Sequence, residues 1–189
     1  MSLAPDGVHA DGVRELLAGY APGGGVEASD VARIRAMIED TPDPWSRAVP
    51  LHLTASAVVV HPETERVLLR WHERIGSWLQ IGGHGDPGEH DPVAVALREG
   101  REETGLTDLR PWPTAALRHV AVVSVPGNAG EAAHEHADLR FVLATATPDE
   151  ARPEKPTAPL RWLTLPEALE IIVEENLRET LARVRPLFG

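Results

Sequence analysis

Between residues 98 and 105 the chain reads Arg-Glu-Gly-Arg-Glu-Glu-Thr-Gly, which places Glu99, Glu102 and Glu103 close together. At spacings of i, i+3 and i+4 on a helix these carboxylates share one face, where like charges repel by roughly a few tenths of a kcal/mol per pair. Arg98 is placed to pair with Glu102, and Arg101 can reach Glu99 or Thr104 or point to solvent, so part of that repulsion is offset. Two readings fit. One is a solvated, salt-bridged helix face. The other is a ligand set for a hard divalent cation, which takes oxygen donors and, for Mg²⁺, also waters and substrate phosphates. Immediately upstream, "GGHGDPGEHDP" (residues 82–92) runs into the start of that helix. Its glycines let backbone groups approach a ligand, and a helix N-terminus favours an anion. A second constellation is "EAAHEHAD" (residues 131–138). His134, His136 and Asp138 alternate there, so on a strand they share a face, with Glu131 and Glu135 nearby. They read either as ordinary surface groups or as substrate contacts, a base or extra metal ligands. His84 and His90 add two imidazoles to the glycine-rich loop. Trp71 and Trp78 flank "HERIGS", and one of them could stack on a planar group; the tryptophans otherwise read as core anchors.

The segment from Gly83 to Leu106, "GHGDPGEHDPVAVALREGREETGL", resembles the Nudix box. That pattern is Gly, five residues, Glu, seven residues, then Arg-Glu-apolar-any-Glu-Glu-any-Gly-apolar. Gly83 and Glu89 match its first half; Arg98, Glu99, Glu102, Glu103, Gly105 and Leu106 match its second. Two departures stand out: eight residues separate Glu89 from Arg98, and Gly100 replaces the apolar residue. "HLTASAVVV", "ERVLLRWHERIGSWLQIGGH" and "AAHEHADLRFVL" extend the resemblance to a less characterised bacterial branch, over roughly residues 45–165. The resemblance implies hydrolysis of a nucleoside diphosphate linked to another moiety, with Mg²⁺ or Mn²⁺ bridging the diphosphate. It implies Glu99, Glu102 and Glu103 as metal ligands, joined by the Gly83 carbonyl. Arg98 would orient a carboxylate, and Glu89 would act at one remove from the metal. The general base differs between branches, leaving Glu99 or an acidic residue on a distant loop. His134, His136, Asp138, Glu89 and Trp78 are the candidates for contacts to substrate.

These groups need elements to hold them. Asp91 is an N-cap candidate with Pro92 at the first helical position, and Gly105 suits the residue after the last turn. The spacing therefore predicts a helix over residues 92–104, with Val93, Ala96, Leu97 and Gly100 on its apolar side. Mid-helix glycine costs ~1 kcal/mol relative to alanine, so Gly100 points to close packing. "VRELLAGY" and "SDVARIRAMIED" are helical in period, the latter with Ser29 as N-cap, and "TPDPW" ends it. "LHLTASAVVV", "RVLLRW", "WLQI", "LRHVAVVSV", "LRFVLATA" and "LRWLTL" read as strands. "PGNAGEAAHEHA" and "TPDEARPEKPTAP" read as loops. From Pro166 onward Leu169, Ile172, Val173, Leu177, Leu181 and Val184 fit a helix. Strands, helix, strands, helix predict an α/β (α+β) sandwich with helices on a mixed sheet. The resemblance makes this a Nudix-type α/β/α sandwich, with residues 1–50 as a helical extension packed on the core and 51–189 as the catalytic domain.

The whole chain bounds the function classes. With 189 residues and 42% hydrophobic content it holds a real core. A net charge of -11 argues against a nucleic-acid polymer as partner. The same charge admits an anionic small molecule if a divalent cation lies between them. There is no cysteine, which excludes disulfides and thiolate chemistry. No run of apolar residues is long enough for a membrane span, and "MSLAPDGVHADG" lacks a signal-peptide pattern, so a cytoplasmic protein is expected. The expected partner is a small-molecule diphosphate; the family's habit allows a homodimer. Two further readings compete. One is a non-catalytic Nudix-like sensor, which would tend to lose the box carboxylates that stand here. The other is an isopentenyl-diphosphate isomerase-like enzyme, which this chain resembles in "VLLRW" but whose proton chemistry uses a cysteine.

Overall fold

The computed structural model describes residues 10–130 and 132–189. Glu131 and most of the N-terminal stretch read for targeting signals lie outside them. Among the described residues are five α-helices and eight strands: α1 Asp11–Ala18, α2 Gly25–Asp40, β1 Leu51–His61, β2 Arg66–His72, β3 Ser77–Leu79, β4 Ile81–His84, α3 Pro92–Thr104, β5 Arg110–Pro111, β6 His119–Val125, β7 His134–Ala144, β8 Leu160–Thr164, α4 Leu165–Ile171 and α5 Glu175–Val184. One mixed sheet runs β3-β2-β1-β7-β5, with β4 on β1, β6 on β7 and β8 on β2. β1 lies parallel to β7 from the Leu51–Glu135 pair to the Val60–Ala144 pair.

Strand period two sorts β1 cleanly. Leu53, Ala55, Ala57 and Val59 face one side and pack with Val13 and Leu17 of α1, Val31 and Ile34 of α2, and Val95 and Ala96 of α3. Val58 and Val60 face the other, against Leu177, Leu181 and Val184 of α5. Helices thus cover both faces, and the result is the α/β/α sandwich expected. His52, Thr54 and Ser56 share the parity of Val58 and Val60, so the α5 side of β1 is polar in its first half. β1 also changes neighbour along its length. Ala57, Ser56, Ala55 and Thr54 pair with Ile81, Gly82, Gly83 and His84 of β4. Val59, Val60 and His61 pair with β2. The two partners part at that point.

Several elements depart from the sequence reading. "WLQI" is divided at Gln80: its first half pairs with β2, while Ile81 begins a separate strand. That strand takes in Gly82, Gly83 and His84, whose glycines alone predict a loop. At Gly82 φ is +145°, and a Cβ there would lie 2.4 Å from the Ser56 Cα, so only glycine lets the chains approach. α2 starts at Gly25, with Gly24 in place of Ser29 as N-cap; the earlier start puts Glu27 in the first turn, where the helix dipole favours it. β7 starts at His134, because β1 supplies a parallel partner from Leu51 onward. The C-terminal helix is two helices, and Val173 at the break is 80% exposed. On α3 the buried set is Pro92, Val95, Ala96, Gly100 and Thr104, so the apolar face is turned toward Val95 rather than Val93 and Leu97.

Candidate active site

α3 is framed at both ends as its sequence demands. The Asp91 carboxylate accepts from the Val93 and Ala94 N–H groups, and Gly105 takes the left-handed conformation at φ 68°. Gly100 sits where a Cβ would come 2.8 Å from the Leu109 side chain. The helix is therefore seated tightly on the sheet, and its glutamates are carried toward β4.

Arg98 organises that face. Its Nη1 donates to Glu99 at 2.9 Å and to Glu102 at 3.0 Å, its Nε to both Glu89 oxygens at 3.1 and 3.0 Å, and its Nη2 to the His84 carbonyl at 2.7 Å. Glu89 in turn accepts from the Asp86 N–H at 2.9 Å. The longer loop thus still delivers Glu89 to Arg98. Glu99 lies against Gly83, where a Cβ would stand 2.8 Å from its carboxyl carbon. Arg101 points into solvent.

Glu103 reaches further, to the place where β2 and β4 part. One oxygen lies 3.1 Å from Arg70 Nη1 and the other accepts from the Gly82 N–H at 3.1 Å. Burial pushes its carboxyl up to about 7 despite Arg70 and that amide. Burial raises Glu99 as well, against the opposing pull of Arg98. The resistance of Glu99 and Glu103 to ionisation is what a nearby cation would relieve. Glu99, Glu102, Glu103 and the β4 backbone beside them are all oxygen donors, the chemistry a hard divalent ion takes.

The alternating groups of β7 come together on the opposite face of the sheet. His134 Nε2 lies 3.2 Å from His136 Nε2; His84 of the glycine-rich loop joins them, and so does His52, which the sequence alone does not single out. His52 on β1 is 1% exposed, and its Nε2 lies 3.0 Å from Nε2 of His84. Burial and the neighbouring His136 and Arg47 lower His84 to about 3, so it is neutral. Asp138 shares this face but is closed off. Its carboxylate accepts from Thr54 at 3.0 Å, Ser56 at 2.8 Å, Gln80 at 3.3 Å and Arg140 at 2.7 Å. Burial alone would raise Asp138; Arg140 and the two hydroxyls outweigh it and hold the group below the usual range. The sequence signal that could have found His52 and Arg70 is their placement: His52, Thr54 and Ser56 alternate in an otherwise apolar strand, and Arg70 follows the apolar run of β2.

Trp78 is half-buried, meets Trp71 edge to face at 5.6 Å and carries the Arg161 guanidinium over its ring at 5.4 Å. Of the five tryptophans only Trp45 is fully buried, against the loop at Gly85. His90 lies in that loop, half-buried. No helix among the described residues is long and apolar enough to cross a membrane.

Residues 50–186 match the family model described as NUDIX domain. No curated protein matches the chain. Among solved structures, a C. elegans Ap4A hydrolase binary complex is similar at 19% identity and TM-score 0.56, covering 71% of this chain and 95% of its own. The E. coli dihydroneopterin triphosphate pyrophosphohydrolase is similar at 19% identity and TM-score 0.52, over 69% and 92%. A NUDIX-family hydrolase from Clostridium perfringens is similar at 20% identity and TM-score 0.50, over 69% and 96%. At these identities the likeness is one of fold.

Proposed function

Because this chain belongs to the Nudix family, and with it to hydrolases of phosphorus-containing anhydrides, we propose that it cleaves the diphosphate linkage of a nucleoside diphosphate derivative or a related small metabolite. The observation that carries this reading is the single assembly of Glu99, Glu102 and Glu103 around Arg98, Gly83 and the Gly82 amide. The similar structures named for Ap4A and for dihydroneopterin triphosphate are consistent with such a substrate class.

The three glutamates and the Gly83 carbonyl would hold Mg²⁺ or Mn²⁺. Bound there, the ion would offset the negative charge of the diphosphate, acidify water and stabilise the leaving oxygen. The residues themselves have separable tasks. Arg98 holds Glu99 and Glu102 in position through charge-assisted hydrogen bonds from Nη1 and does not meet substrate. Glu89 fixes Arg98 and the loop. Glu99, half-buried and raised, is the general base of choice. Asp138 is a positioning residue, since all its oxygens are engaged within the sheet.

The test is a phosphate-release screen of the full chain. Nucleoside diphosphate derivatives are supplied with Mg²⁺, Mn²⁺ or EDTA, and a phosphatase is used for coupling. A metal-dependent hit abolished in Glu103→Gln supports the reading. A panel without turnover, with Mg²⁺ binding intact by calorimetry, would replace it with a ligand-sensing role.

A further inference from the structure

On the face of the sheet opposite α3 stand four imidazoles from three strands: His52 on β1, His84 on β4, and His134 and His136 on β7. The registers bring them together. His52 is the direct partner of His136, and His84 is the partner of Thr54, two residues along β1 on the same face. Ring centroids stand 5.1 Å apart for His52 and His84, 4.7 Å for His84 and His136, and 5.3 Å for His52 and His134. One ring nitrogen from each of His52, His84 and His136 falls in a group whose members all lie within 4.8 Å of one another. Two closer separations, 3.0 Å for His52 Nε2 to His84 Nε2 and 3.2 Å for His134 Nε2 to His136 Nε2, approach the ~3.3 Å between neighbouring nitrogens of a tetrahedral site with metal–nitrogen bonds near 2.0–2.1 Å.

The tautomers suit the same task. His52 Nδ1 lies 2.7 Å from the Val49 carbonyl and His134 Nδ1 lies 3.0 Å from the Ala132 carbonyl. A carbonyl only accepts, so each Nδ1 carries a proton, and Nε2 of each ring is the atom turned toward a neighbouring imidazole. A backbone carbonyl on the far nitrogen is the usual outer support of a ligating histidine. This cluster is separate from the glutamates. Gly83 faces α3 and Glu99, while His84, one residue on, faces His52 through the other side of the sheet.

We propose that His52, His84 and His136, with His134 as fourth ligand, form a binding site for a borderline transition-metal cation such as Zn²⁺. Imidazole donors suit Zn, Fe and Ni, whereas Mg²⁺ prefers oxygen, so the two faces of β4 select different ions. His84 joins them: its ring belongs to this cluster, and its carbonyl accepts from Arg98. The site stands on its own ligand geometry, and the loss of either reading leaves the other intact.

The experiment uses full-length protein stripped with a chelator and titrated with Co²⁺. Expected are one Co²⁺ per chain, visible bands of an imidazole-bound ion, displacement by stoichiometric Zn²⁺ and none by excess Mg²⁺. The bands persist in Glu102→Gln/Glu103→Gln. In His136→Gln and in His84→Gln, both at partly exposed positions, affinity falls by at least ~10–100-fold, the range already seen when only an outer partner of a ligand is lost. His134→Gln gives a smaller loss, and circular dichroism confirms that each variant is folded. Absence of Co²⁺ bands, or binding lost in the glutamate variant and unchanged in the histidine variants, overturns the site.

Discussion

Glu103 shows how burial and charge set a residue's behaviour. Its folded value near 7 lies above that of an ordinary carboxyl, so the native state holds a proton there that the unfolded chain has released. Stability from this group is complete below about 4.5 and is lost as pH rises through about 7. Glu103→Gln, which keeps an acceptor for the Gly82 amide, should raise the melting temperature of metal-free protein at pH 8 and leave it unchanged at pH 4. At ~1.4 kcal/mol per pKa unit and ~2–4 °C per kcal/mol for a chain of this size, the gain is on the order of ten degrees. Added Mg²⁺ should stabilise the wild type and not the variant; scanning calorimetry at both pH values checks this. Gly83→Ala acts on the neighbouring carboxylate. Its Cβ would meet Glu99 at 2.8–2.9 Å and push it aside, so turnover should fall by at least roughly tenfold with circular dichroism unchanged. Glu99, Glu102 and Glu103 were legible because helical spacing shows them directly. His52 and Arg70 were not, because each lies in an ordinary β pattern and gains its partners only when strands distant in sequence come side by side.

Among the elements, α3 was the most legible, since Asp91, Pro92 and Gly105 mark its ends with side chains whose backbone preferences are strong. β4 was the least. Its two glycines carry the usual mark of a loop, yet both pair with β1 as strand residues: at Gly82 the β1 backbone leaves no room for a side chain, and at Gly83 the Glu99 carboxylate fills that space. The break between α4 and α5 was hidden for a similar reason: Val173 continues the apolar run and then faces water. These differences give contrasting mutants. Gly82→Ala places a Cβ 2.4 Å from backbone and should prevent β4 from pairing, seen as loss of soluble, cooperative folding. Gly100→Leu overpacks Leu109 and Leu143 and should cost ~1–3 kcal/mol in urea unfolding, with α3 still helical.

Across the whole molecule, Glu27 is the buried joint between the N-terminal helices and the rest. It accepts from Tyr20, from the Gly23 and Val120 amides and from Arg183 of α5. Burial alone would raise it, but those donors outweigh burial and hold it at about 2. Its contribution is therefore full above about 4.5 and fades as pH falls toward 2. Glu27→Gln should lower stability at pH 7 by on the order of 3–5 kcal/mol, with the deficit shrinking in acid. We infer from this joint, and from Val13, Leu17, Val31 and Ile34 in the shared core, that residues 10–50 and the rest of the chain fold together; deleting them should leave an aggregating fragment on size-exclusion chromatography. β1 stands at the centre of this arrangement, parallel to β7 along one edge and divided between β4 and β2 along the other. In deuterated water its amides should therefore be the last in the chain to trade hydrogen for deuterium, opening only when the whole molecule unfolds, while the two-residue strand β5 at the rim labels early.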